Sequence, residues 1–336
     1  MSQQNNKITH LLISLLVSLI MVTAACFIYL NRRLVIDQIN VWMYEPSSEI
    51  VSLATQSGMN DYGRFLFLAS QPLLAESSGE VSTFNSVCSN VEQTVSILGC
   101  YNDYKIYLYN VTDNKLDGVR ETTAAHETLH AAYLRLSGSE EAIVDKLLEA
   151  EAEKLGSNAS FTERMAYYKK NEPGQFDNEL HSVIGTEVAD ISPKLEAYYK
   201  KYFSDRQKVV TLNAKYVSVF QELTNKAKSL IAQLKTLSEE ITNESSQYNS
   251  DVVALNNAIM MFNNNANSGN FRSQAEFNAR RSSLVSQAAA LNQSRVDIND
   301  KISNYSSLLE EYNSIASESK KLSNSLNSNL SPAPSM

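Results

Sequence analysis

Thr122-Thr123-Ala124-Ala125-His126-Glu127-Thr128-Leu129-His130-Ala131-Ala132-Tyr133-Leu134 carries two histidines four residues apart, with a glutamate directly after the first. Four residues is just over one turn of an α-helix, so His126 and His130 share a face. Two imidazoles so placed reach a single divalent cation, and zinc (Zn²⁺) is the usual ion at this spacing. Glu127, beside them, takes the position of a general base. The chain has only 4 histidines in 336 residues, and two of them are here. The competing reading is a helix whose histidines and glutamate never meet a metal. The flanks favour the metal: Thr122 or Thr123 supplies an N-cap, and Ala124, Ala125, Ala131 and Ala132 are small helix formers that allow close packing.

Just upstream, Lys105-Ile106-Tyr107-Leu108-Tyr109-Asn110-Val111 is rich in β-formers and runs into a Thr112-Asp113-Asn114 turn. Strand, loop and motif helix together resemble the arrangement of zincin metallopeptidases, over residues from about 100 to 135. In zincins the strand stands at a sheet edge and receives an extended peptide. The resemblance implies a peptide or protein substrate, one Zn²⁺ per chain, and hydrolysis in which Glu127 activates the metal-bound water and then protonates the leaving amine.

A catalytic zinc takes a third protein ligand and keeps a position for water. No histidine follows His130 at a short, glycine-turned spacing, so the metzincin pattern is absent. The gluzincin pattern, with a glutamate on a later helix, is the alternative. Asn178-Glu179-Leu180-His181-Ser182 resembles the Asn-Glu-aromatic-aromatic-Ala form of some gluzincins. That likeness implies Glu179 as the ligand and Ser182 as the small residue that lets the two helices approach. Leu180 and His181 depart from the form. Glu187, in Glu187-Val188-Ala189-Asp190, is the rival third ligand, since this stretch resembles a Glu-x-x-x-Asp ligand helix one residue short. His181 is a further candidate. An oxyanion donor is expected near the metal. Tyr167, Tyr168, Tyr198, Tyr199 and Tyr202 all qualify by position, but with 17 tyrosines in the chain none stands out.

The N-terminus bears on where such chemistry would occur. Leu11–Leu30 is uncharged and, at 1.5 Å per residue, long enough to cross about 30 Å of hydrocarbon. It predicts an uncleaved signal-anchor over residues 10–30 behind a short cytoplasmic tail, residues 1–9. Thr23-Ala24-Ala25-Cys26 also resembles a lipobox, which would make Cys26 lipidated, but the apolar run continues past it. Lys7 precedes the run and Arg32-Arg33 follow it, so positive charge does not set the orientation. Cys88 and Cys100 do: a close pair in an exported domain reads as a disulfide, although two buried thiols would give the same spacing. Residues 31 onward are therefore expected outside the cytoplasm.

The net charge of −8 and the lack of a basic stripe argue against nucleic acid. Ten glycines are few, which favours helix. In residues 31–100, Arg33–Met43 continues the anchor helix, and Met59–Ser70 reads as a strand and bend completing a sheet. After Tyr202 the pattern changes. Phe220, Leu223, Ala227, Leu230, Leu234, Leu237, Ile241, Tyr248, Val252, Leu255, Ile259 and Phe262 keep a three-four spacing. A turn near Gly269 follows, and a second seam runs through Phe277, Leu284, Ala288, Leu291, Ile298, Ile302, Tyr305, Leu309 and Tyr312, interrupted by Arg281 and Arg295. The expected architecture is α+β. A zincin-like domain (31–205) with a short sheet, a motif helix and a ligand helix stands behind the anchor. An antiparallel coiled-coil hairpin (206–330) and a loose tail (331–336) follow. The Ser/Asn/Gln-rich outer faces of the hairpin suit a coiled-coil partner or self-association. The competing class is a catalytically inactive envelope scaffold or adhesion protein acting through this coil.

Overall fold

The computed structural model describes residues 2–89, 97–171 and 174–328. Two compact units divide them, one built from the chain up to Ser218 and from Leu322 onward, the other from Val219–Lys321. The loose tail expected at 331–336 lies outside the described residues.

Unit 1 opens with α1 (Ser2–Leu30), in which Ile13–Leu30 has a mean hydropathy of 2.5 and no buried residue. By length and composition this helix can cross a membrane. A turn at Asn31 separates it from α2 (Arg32–Met43). Then come α3 (Ser48–Gln56) and α4 (Asp61–Ala69), capped by Ser47 and Asn60, whose side chains accept the N–H of Ile50 and Gly63. The strand expected within Met59–Ser70 is therefore α4. The Asn60 cap and the acidic Asp61 in the first turn start a helix whose Leu66, Phe67 and Ala69 enter the core.

The sheet consists of β1 (Leu73–Ala75), β2 (Gly99–Asn102) and β3 (Lys105–Tyr109) in the order β1-β3-β2. β1 is parallel to β3 and β2 is antiparallel to it, so β3, the strand expected at the sheet edge, is paired on both sides and β2 is the edge strand beside it among the described residues. Asp103 and Tyr104 make the β2–β3 turn with positive φ of 47° and 63°, the left-handed pair that a tight hairpin requires. α5 (Ser78–Cys88) precedes β2, and Cys88 is disulfide-bonded to Cys100.

The motif lies in α6 (Val119–Tyr133), the central helix of unit 1, where Ala124, Ala125, Leu129 and Ala131 are fully buried. The threonine caps expected at its start are inside it. Gly118 is the N-cap, and the hydroxyls of Thr122 and Thr123 donate back to the carbonyls of Gly118 and Val119. Gly118 has φ of 100°, and a Cβ there would fall 2.7 Å from the Leu212 carbonyl oxygen, so only glycine fits.

α9 (Phe176–Glu187) packs on α6, α7 (Gly138–Lys154) and α8 (Ala159–Asn171) pack on α9, and α10 (Pro193–Tyr199) packs on α7. α11 (Arg206–Asn267) starts within this unit. Its Arg206 is buried, pairs with Glu196 at 2.7 Å, and donates to the carbonyls of Val188 and Ala189. Val209 and Val210 join the core. A boundary at 205 follows the helix start, whereas packing keeps Arg206–Ser218 with unit 1.

Unit 2 holds the rest of α11 and most of α12 (Gln274–Ser325), paired antiparallel across a turn containing Gly269. Phe262 meets Phe271 and Phe277 beside the turn, and Lys301 bridges to Glu240 and Glu244 of the other arm. The first seam faces inward as read, with Leu223, Leu230, Leu234, Leu237 and Leu255 buried. The second differs. Ala288, Ile302 and Leu309 are exposed, while Leu284, Leu291, Ile298, Tyr305 and Tyr312 form the inward row. The inward row recurs every seventh residue, and the half-buried residues beside it are Lys301 and Leu308, one position before the expected Ile302 and Leu309.

Candidate metal centre

α6 and α9 cross closely because α9 has no side chain at Gly185. A Cβ there would lie 2.4 Å from Leu129 Cδ1 and 2.8 Å from Tyr199 Cε1. That approach brings Glu179 of α9 against the histidines of α6. His130 Nε2 is 3.4 Å from Glu179 Oε1, and His126 Nε2 is 3.7 Å from Glu179 Oε2. One donor atom from each of the three residues lies within 4.8 Å of the others. His130 and Glu179 are buried, and His126 is partly open to solvent.

The orientation of His130 follows from its neighbours. Its Nδ1 is 3.0 Å from Asn178 Oδ1 and 3.2 Å from Ser182 Oγ. Asn178 Nδ2 donates to Gln175 Oε1 at 3.0 Å, which turns the Asn178 oxygen toward the ring. The network therefore assigns the His130 proton to Nδ1 and leaves Nε2 with a bare lone pair. That nitrogen and Glu179 Oε2 are both buried without a hydrogen-bond partner. Acceptors facing each other across such a gap need a cation or a proton between them.

Protonation states agree. Burial pushes His130 below its ordinary 6.5, a larger effect than the opposing pull of the Glu179 carboxylate. For Glu179 burial alone would raise the pKa, but the attraction of His130 and His126 when they are protonated, with that of Arg164, holds it below the ordinary 4.5. A neutral imidazole and an ionised carboxylate are the forms a metal takes up. Two imidazole nitrogens and one carboxylate oxygen are also a donor set suited to a divalent transition-metal ion.

The other candidates lie elsewhere. Glu187, the rival third ligand, receives a bidentate pair from Arg164 at 2.9 and 2.7 Å and is not in the cluster. His181 is fully buried, with Nε2 2.9 Å from the Tyr198 hydroxyl and Tyr133, Tyr199 and Tyr202 around it. Burial, with His130 and His126 nearby, lowers its pKa to about 3, so it is a neutral core residue. Tyr198, Tyr199 and Tyr202, three of the candidate oxyanion donors, are used in packing His181. Ser182 has a different part from the spacer expected of it: it bonds His130, while Gly185 gives the helices their room.

Glu127 is 2% exposed and lies under β2. A Cβ on Gly99 would fall 2.9 Å from Glu127 Oε1 and 2.5 Å from Thr123 Cγ2, so glycine lets the strand pass directly over this glutamate. Asn178, Gly185, Gly99 and Arg164 shape this site without standing out in the sequence. The asparagine beside Glu179 and the scarcity of glycines were the signals present. No protein-family profile, curated protein or solved structure matches the chain.

Proposed function

We propose that this chain is a zinc-dependent metallopeptidase of the gluzincin type, held in a membrane by α1 with residues 31 onward outside the cytoplasm. One observation carries the reading: three donor atoms of His126, His130 and Glu179 converge, with the outer nitrogen of His130 already bonded to Asn178. His126, His130 and Glu179 would hold the ion. Bound zinc supplies a Lewis acid and an acidified water. Asn178 fixes the ring of His130 and raises its basicity as a ligand. Glu127 is the general base, adjacent to His126 in sequence and shielded by β2, and it delivers the proton to the departing amine. β2 is an edge strand among the described residues, so its outer side can pair with an extended peptide next to Glu127. The Cys88–Cys100 disulfide supports an oxidising compartment. The coiled coil of unit 2 would serve a helical partner, self-association or the choice of large substrates.

The test is metal content and hydrolysis by the full-length protein in detergent. About one zinc per chain is expected, with cleavage of a peptide library that Glu127→Gln abolishes. A chain that holds no metal after careful handling is instead a scaffold.

A further inference from the structure

Helix α2 buries a charged residue and exposes most of its large apolar ones, Leu34 on one side and a stripe of four on another. Its inner side is polar: Asp37, 2% exposed, takes a bidentate pair from Arg135, just past the end of α6, at 2.8 and 2.9 Å. Asn40 Nδ2, on the same side, donates to the Ala69 carbonyl at 3.1 Å. Its outer side is apolar. Ile36, Ile39, Trp42 and Met43 are exposed by 47, 42, 77 and 76%. At 3.6 residues per turn these four fall within an arc of about 120°. A surface helix of a soluble domain buries its apolar stripe. This helix buries polar groups and offers the stripe outward.

The chain around it indicates what covers that stripe. α1, long and apolar enough to cross a membrane, ends at Leu30, and α2 begins at Arg32. The apolar face therefore starts where the bilayer would end. Arg33 holds its guanidinium 3.8 Å from the ring centroid of Tyr104, which is 52% exposed at the tip of the β2–β3 turn. Arginine, tyrosine and tryptophan are the side chains that populate the headgroup region.

We propose that α2 is an interfacial helix. Its Ile36, Ile39, Trp42 and Met43 face lies in the headgroup–acyl boundary of the same bilayer that α1 spans. The occupant of the face is lipid. The helix cannot roll over to hide the stripe without breaking the buried Asp37–Arg135 pair, and that pair joins the membrane-bound helix to the helix that carries His126 and His130. The metal-binding helix is thereby held at a set height and attitude above the membrane. If the peptidase reading holds, its substrates are segments emerging from that membrane or lying on it. The docking itself does not depend on that reading.

Trp42 is the only tryptophan of the chain, so its fluorescence reports this face alone. The full-length protein is reconstituted in phosphatidylcholine–phosphatidylglycerol vesicles and compared with an Ile36→Ser/Ile39→Ser/Met43→Ser variant. For the wild type we expect blue-shifted Trp42 emission and loss of most acrylamide quenching. Strong quenching by a nitroxide on the upper acyl chain is also expected, for a depth of roughly 5–10 Å. The variant, still membrane-anchored through α1 and unchanged in circular dichroism, should lose most of the lipid quenching. Water-like emission with full acrylamide access in the wild type would overturn the proposal. So would equal lipid quenching of wild type and variant, since α1 alone would then set the depth. Shielding from acrylamide without lipid quenching would also overturn it, because a second copy of the chain, and not lipid, would then cover the face.

Discussion

The lone pair of His130 Nε2 points toward Glu179 because Asn178 takes the proton on the other side of the ring. Asn178→Ala should therefore weaken metal binding by about 10–100-fold while leaving all three ligands in place; competition with a chromogenic chelator would measure it. Glu179→Ala should reduce metal content far more than Glu187→Ala, since only the first removes a converging donor. The Glu187 variant should instead lower the melting temperature by stranding Arg164. If the two exchanged their effects on metal content, the third ligand would be misassigned. The pairing of His126 with His130 was legible in the sequence because its geometry is local, fixed by the helical repeat within five residues. The third ligand was not settled by the sequence. Which carboxylate of α9 meets α6 depends on where the helices cross, and Gly185 sets that crossing against Leu129 and Tyr199.

Two junctions between elements carry charges that can be tested for stability. Asp37→Ala leaves Arg135, whose side chain is 7% exposed, buried without its carboxylate and should cost about 3–5 kcal/mol in chemical denaturation. Glu151 ties α7 to the start of α10 by accepting the Ser192 N–H at 2.9 Å, and it also accepts from the Lys154 ammonium of its own helix at 3.1 Å. Burial alone would raise its pKa, but these bonds outweigh it and hold the pKa below the ordinary 4.5. A carboxylate depressed in the folded state stabilises fully above its unfolded pKa and loses that contribution as pH falls through the folded one. Glu151→Gln should thus cost about 1.5–3 kcal/mol at neutral pH. The gap to wild type should close on acidification below 4.5, and a gap that stays constant down to acid pH would refute the linkage. Elements with a periodic stripe or a run of β-formers were readable, as with α6, α11 and β3, although α6 starts at Val119, before the threonines expected to cap it. α4 was misread because its aromatic run has strand-like composition, and its helical identity comes from the Asn60 cap and burial of Leu66 and Phe67.

At the scale of the chain, the break between the units falls after Ser218 and before Leu322, inside helices and not at their ends. Two truncations distinguish this from a division at the start of α11. Replacing residues 219–321 by a flexible linker should leave unit 1 folded and metal-binding. Stopping after residue 205 removes Arg206, Val209 and Val210 from the core, and burial of the two valines alone is worth about 3–6 kcal/mol. That truncation should not fold, as judged by near-ultraviolet circular dichroism and metal content; a stable, metal-binding fragment would move the boundary back. A seam read from periodicity shows a helix but not where its packing partner changes, which is why this boundary was not evident from the pattern. The antiparallel pair of unit 2 has one further property. Its outer ends both belong to unit 1, and its inner ends meet only at the Gly269 turn. Adding seven residues to each arm would repeat the seam and extend each arm by about 10 Å, with no change to any residue of unit 1. An addition to one arm alone would put the two seams out of step. Span is thus a quantity that mutation can adjust in matched steps while unit 1 stays as it is.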